Sequence, residues 1–144
     1  MQTFLPYPDL QATAESLDYK RLGKQRVETK QILQTLLGIS DGWASHPAVR
    51  MWEGFEARLC VYGLYICSEW RFRGYEENLA PWFEEKRKEL IEWGKSPAYP
   101  EWYGDPAFHE SHQRKLVWKD PSHYCAIFGL PDEPFGEPEY VWPV

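Results

Sequence analysis

Apolar residues recur at helical spacing over most of the chain, and strand-like alternation is almost absent. Residues 1–12, with prolines at 6 and 8, read as extended or turn-like. A first helix is predicted over residues 14–38, with Gly38 as its C-terminal cap. At about 100° per residue, Leu22, Ile32, Leu33 and Leu36 share a face to bury, and Arg21, Lys24, Glu28 and Gln31 share another. After a loop containing Asp41-Gly42, a second helix is predicted over residues 46–73, with Pro47 in its first turn and Gly74 at its end. Val49, Trp52, Phe55, Leu59, Tyr62, Ile66 and Trp70 supply its packing stripe, and Gly54 and Gly63 either weaken it or admit the first helix closely. Shorter helices follow at 81–93 and 107–119, with one more turn at 122–128. Residues 94–106 are irregular and aromatic, and 129–144 form a proline-rich strap with Tyr140 and Trp142 as pegs. The pattern predicts an all-α fold, a compact helical bundle with an irregular N-terminal segment.

Composition narrows the picture. A length of 144 residues suits one domain spanning 1–144 with a real core. Aromatic residues make up 17% of the chain, including eight Trp, more large rings than one small core hides, so some are expected at the surface as contact groups. Residues 1–75 hold nine Lys/Arg against eight Asp/Glu, and residues 76–144 hold seven against fourteen. The resulting net charge of −6 excludes loose polyanion binding over the whole surface and leaves the segment from Lys20 to Lys30 as a local basic patch. Cys60, Cys67 and Cys125 lack metal-type spacing, and the first two, seven apart in an apolar run, read as buried free thiols in a reducing cytoplasm. The N-terminus has no charged segment followed by a long apolar run, so no signal peptide is expected, and no run approaches a membrane span.

Three groupings carry candidate chemistry. The first is the predicted helix face with Arg21, Lys24, Gln25, Arg26, Glu28 and Gln31. A carboxylate among cations stays ionised at neutral pH, and serves as a base or stabilises a cationic intermediate. Arg26 falls beside Leu22 and Leu33, so it must be paired, must snorkel, or must face a ligand. The plain alternative is an exposed helix face with ordinary salt bridges. The second grouping is His46 and Arg50 at a helix start, where an anion would be favoured, or where His46 simply caps. The third holds His109, His112, His123 and Tyr124. His109 and His112 are three apart, but the His-Glu-x-x-His spacing and a fixed carboxylate ligand are missing, so no metal site is expected. Histidines that orient a substrate or phosphate fit better, and the alternative is that they brace the C-terminal strap.

Leu17-Asp18, Lys20 and Leu22, then Arg26 and Glu28, Gln31-Ile32-Leu33, His46-Pro47 and Arg73-Gly74-Tyr75 stand in an order that resembles the pyrimidine-dimer DNA glycosylases of the phage endonuclease V type. The region of His109 and His112 and the turn from Pro121 to Tyr124 continue the likeness. Uncharacterised bacterial and phage members of that group resemble the chain over nearly its whole length, including Lys24-Gln25-Arg26-Val27-Glu28, the segment from His46 to Trp52, and Tyr140-Val141-Trp142-Pro143. The resemblance implies an all-α repair enzyme that needs no metal or other cofactor and takes DNA with a damaged or modified base as its partner, with no membrane and no obligate protein partner. It implies an N-terminal α-amine that attacks C1′ of the damaged nucleotide, and a glutamate that assists before β-elimination cuts the strand. An α-amine suits that role because α-amines titrate near pH 8, far below lysine side chains. Carried over, Glu28 is the acid/base, and Arg26 with Arg21 or Lys24 holds phosphates. Gln2 is bulky enough to leave Met1 in place, so the attacking amine is that of Met1. The alternative is a non-catalytic nucleic-acid or nucleotide-binding module that uses the same basic face.

Overall fold

The computed structural model describes all residues from Met1 to Val144 and contains seven helices and no strand. They are α1 (Leu10–Ser16), α2 (Tyr19–Leu36), α3 (Pro47–Arg50), α4 (Glu56–Phe72), α5 (Ala80–Glu92), α6 (Pro106–Lys119) and α7 (Pro121–Phe128). The fold is all-α, as the periodicity predicts, and no helix is long and apolar enough to cross a membrane.

Two of the predicted helices are each divided in two. The helix predicted over 14–38 is interrupted at Leu17 and Asp18, both in extended conformation. Asp18 caps α2, its carboxylate accepting from the Arg21 backbone N–H at 3.4 Å and from the Arg21 guanidinium at 3.1 Å. The Tyr124 hydroxyl fixes the break from the other side, donating to the Asp18 carboxylate and accepting the Asp18 N–H at 2.9 Å. The helix predicted over 46–73 breaks at Gly54, whose φ of +85° lies in the left-handed region that ends a helix. The three later helices fall within a residue of their predicted limits, each opening on a proline in its first turn.

Helix α4 is the spine. Leu59, Tyr62 and Ile66, all buried, continue the stripe that Val49 and Trp52 begin, in one apolar core of 24 side chains. Two glycines set its packing. A Cβ on Gly23 of α2 would stand 2.8 Å from the Trp70 ring, so α2 meets α4 there. A Cβ on Gly63 would stand 2.7 Å from Phe83, so Gly63 admits α5 and not the first predicted helix. Cys60 and Cys67 are buried free thiols, and burial pushes both up to about 12.

The N-terminal segment does not lie on the surface. Gln2, Thr3, Phe4 and Leu5 are buried between α2, α4 and α6 without forming a helix or strand. Buried backbone groups need partners, and here side chains supply them. The Gln25 amide accepts from Phe4 N–H at 2.7 Å and donates to the Gln2 carbonyl at 2.7 Å. The Tyr62 hydroxyl donates to the Phe4 carbonyl at 2.8 Å, and the Trp52 indole donates to the Thr3 hydroxyl at 3.0 Å. Gln113 donates to the Pro6 carbonyl at 2.7 Å, and the Tyr103 hydroxyl to that of Pro8. The segment is tied almost residue by residue, and it delivers Met1 to one fixed place.

Candidate active site

That place is a cleft of about 480 Å³, a volume in the range of small-ligand sites. Met1 and Gln2 form one side, with the Met1 side chain packed on the core. Helix α2 supplies Lys20, Arg21, Lys24 and Glu28, and Lys119 closes the rim from the end of α6. Phe4 and Tyr140 give it apolar surface.

Glu28 is the one carboxylate in this lining, set among four cations. Its Oε2 accepts from the Gln25 amide at 3.2 Å and lies 3.4 Å from the Gln2 backbone nitrogen. The acid is thereby tied to the residue next to Met1, and Met1 and Glu28 line one cavity. Arg21 is paired with Asp18 at 3.1 Å, but Lys20, Lys24 and Lys119 have no carboxylate within ion-pair distance. The Lys119 ammonium is pulled below its ordinary range by partial burial and then by the like charges of Arg21 and Lys115. Three cations without carboxylate partners leave the cleft with an excess of positive charge. Tyr140 carries a phenol that burial pushes upward, so it remains a protonated hydroxyl at the cleft wall.

Gln25 also lines the cleft, but it is buried and ties the N-terminal segment and Glu28 together, so it positions the site and is not an exposed phosphate ligand. The remaining sequence candidates fall elsewhere. Arg26 turns to the opposite side of α2, where it pairs with the buried Glu77 at 2.7 Å and lies over the Trp70 ring. Of the options the sequence left for Arg26, pairing is the one observed. Glu77 also accepts from the Leu79 and Ala80 N–H groups, at 2.9 and 2.7 Å, so the pair fixes the start of α5. Arg50 is exposed on α3 and does not line the cleft. His46 caps α3, its Nδ1 accepting from Ala48 N–H at 3.0 Å. Its imidazole is held below the usual range by burial and then by the positive charge of the N-terminus, which places it in the field of the Met1 amine.

The α6 histidines face the N-terminal segment and not the cleft. His112 Nδ1 accepts the Leu5 N–H at 2.9 Å, and His109 Nδ1 donates to the Leu5 carbonyl at 2.7 Å. His109 Nε2 accepts from Gly104 N–H at 3.0 Å. Opposite tautomers therefore grip both polar groups of one buried residue, an arrangement that requires neutral rings. Burial pushes His112 down to about 3 and His109 in the same direction. His123 donates to the Ser16 carbonyl at 3.1 Å and Tyr124 holds Asp18, so both brace α7 against the α1–α2 junction. No three His, Cys, Asp or Glu side chains converge in a metal-ligating group.

Sequence reasoning missed Lys20, Lys119, Tyr140 and Gln2 as cleft residues. Lys20 was within reach, since it stands one helical turn before Lys24 on α2. Lys119 and Tyr140 arrive only through the return of the C-terminal part of the chain.

The family model of pyrimidine dimer DNA glycosylase matches residues 1–81, which hold Met1, Glu28 and the α2 cations but neither Lys119 nor Tyr140. No curated protein and no solved structure gives a significant match to the chain.

Proposed function

The chain belongs to the pyrimidine dimer DNA glycosylase family, and from that premise we propose that the Met1–Glu28 cleft excises a damaged or modified pyrimidine from DNA. The observation that supports this most is the convergence of the N-terminal residue and the α2 carboxylate in one cation-rimmed cavity. The Met1 amine, unprotonated, attacks C1′, the glycosidic bond breaks, and the base leaves with the bonding electron pair and takes its proton from water. The amine loses its proton as the sugar ring opens, and an imine joins Met1 to C1′. Glu28 is the acid/base: it accepts the amine's proton and returns one to the ring oxygen. Where strand cleavage follows, a C2′ proton is removed, the 3′ phosphate departs by β-elimination, and water releases the imine. Lys20, Lys24 and Lys119 hold the flanking phosphates, with Arg21 behind them.

The target base must leave the stack to reach a cleft of this kind. Glu28→Gln keeps the size and most hydrogen bonds of the side chain and removes its ability to move a proton. Excision from a duplex carrying a cyclobutane thymine dimer is expected to fall by about 10²-fold or more, with binding retained. Full excision by Glu28→Gln would overturn the assignment. Binding that weakens steeply with salt, with no excision by the unaltered protein on any lesion, would favour the non-catalytic binding module.

A further inference from the structure

A row of aromatic rings leads out of the cleft. Tyr140, in its wall, lies 5.2 Å from Trp142 between ring centroids. Trp142 lies 5.8 Å from His46, and His46 lies 6.0 Å from Trp43, each pair edge to face. The row ends at the surface, where Trp43 is 63% exposed. Trp43 is also the one non-glycine residue with positive φ, at +66°. A bulky side chain in the left-handed region is an outlier that costs stability and persists where the surrounding structure enforces it. The loop is held: the Gly42 carbonyl accepts from the Thr35 hydroxyl at 2.7 Å, and His46 N–H donates to the Trp43 carbonyl at 2.9 Å. A strained backbone thus presents a large ring to solvent, three ring contacts out from Tyr140 in the cleft wall.

We infer that Trp43 is a stacking platform for an unpaired nucleobase on the strand that leads out from the nucleotide held in the cleft, with Trp142 and His46 as its backing. The inference rests on the DNA-glycosylase reading and adds to it a contact with a base farther along the strand. Cations on α2 and α6 line the cleft together with Tyr140, from which the aromatic row departs. A basic track beside aromatic rings is the arrangement that holds single-stranded nucleic acid, because every base offers a π-face. Opening a duplex to extract one nucleotide leaves nearby bases unstacked, and an exposed ring along their path replaces a lost stacking partner.

The test uses two fluorescent single strands that share an abasic-site analogue at the centre, one flanked by thymines and one abasic throughout. Their affinities are read by anisotropy at one salt concentration. The unaltered protein is expected to bind the thymine-bearing strand about tenfold more tightly than the base-free strand. Trp43→Ala is expected to lose that preference and Trp43→Phe to keep most of it, while both bind the base-free strand as the unaltered protein does. Trp43→Gly, relieved of the left-handed conformation, is expected to show no loss of Tm, which separates the effect from unfolding. A full base preference in Trp43→Ala would overturn the inference, as would an equal loss for both strands. Failure of the unaltered protein to bind either single strand while it excises a lesion from a duplex would overturn the inference alone, and failure of both would overturn the DNA-glycosylase reading with it.

Discussion

Helices α2 and α6 both turn polar side chains toward the N-terminal segment, and they use them differently. On α6, His109 and His112 are buried and engage the backbone of Leu5. On α2, Gln25 does the same for Gln2 and Phe4, but Lys24 and Glu28, to either side of it, open on the cleft. Residue type does not separate the two helices, since histidines are as suited to proton transfer as a glutamate. What separates them is where the groups open. The α6 rings are closed in the core and hold the fold, whereas Lys24 and Glu28 line a cleft that a ligand can enter. Arg26 shows the same contrast within α2: two residues from Glu28, it is fully engaged by Glu77.

Substitutions on each side of this division should separate stability from activity. The largest effect is expected from Arg26→Ala, which leaves the buried Glu77 carboxylate without its counter-ion and should cost about 3 kcal/mol in urea unfolding. A variant of normal stability with weakened DNA binding would return Arg26 to the phosphate-binding group. Gln25→Ala removes hydrogen bonds to Phe4, Gln2 and Glu28 together. A cost of about 2 kcal/mol is expected, with a fall in excision because Met1 loses its anchor.

The α6 histidines make stability depend on pH. His112 is held at about 3 in the folded protein against about 6.5 when unfolded, so the unfolded chain binds more protons between those values. The contribution of the neutral ring is complete above about pH 6.5 and is lost as pH falls toward 3. Unfolding free energy should fall by about 2 kcal/mol from pH 7 to pH 5 from this residue alone. His109 adds to the loss in the same direction. His112→Gln keeps an acceptor for Leu5 and should flatten that slope, so an unchanged pH profile in it would remove His112 from the account. The smallest effect is expected from Lys24→Ala or Lys119→Ala: unchanged Tm, and a salt dependence of DNA binding reduced by about one unit of slope.

The helical fold was legible because α4 carries a long apolar stripe and α3, α5, α6 and α7 each have proline in the first turn. The break at Asp18 was not, since an aspartate that caps a helix and one on a helix surface look alike until Tyr124 is brought to it from 106 positions away. In the site, Glu28, Lys24 and Arg21 could be found together because one helix face holds them. Arg26 was recognisable as anomalous, but its partner lies 51 residues on. The histidines were misleading for a related reason. Their partners are backbone groups of Leu5, which carry no residue-type signal, and a buried extended segment between helices has no periodicity to betray it. The closure of the cleft by Lys119 and Tyr140 is tertiary from the start.

The account turns on an N-terminal amine and a helix carboxylate sharing one cavity to perform imine chemistry on DNA. Borohydride trapping on a duplex with an abasic site, before and after acetylation of the N-terminus, tests that most directly. A covalent protein–DNA adduct that forms with the free amine and disappears when it is blocked is the predicted result. No adduct, or one that survives blocking, would contradict the account and move the nucleophile away from Met1.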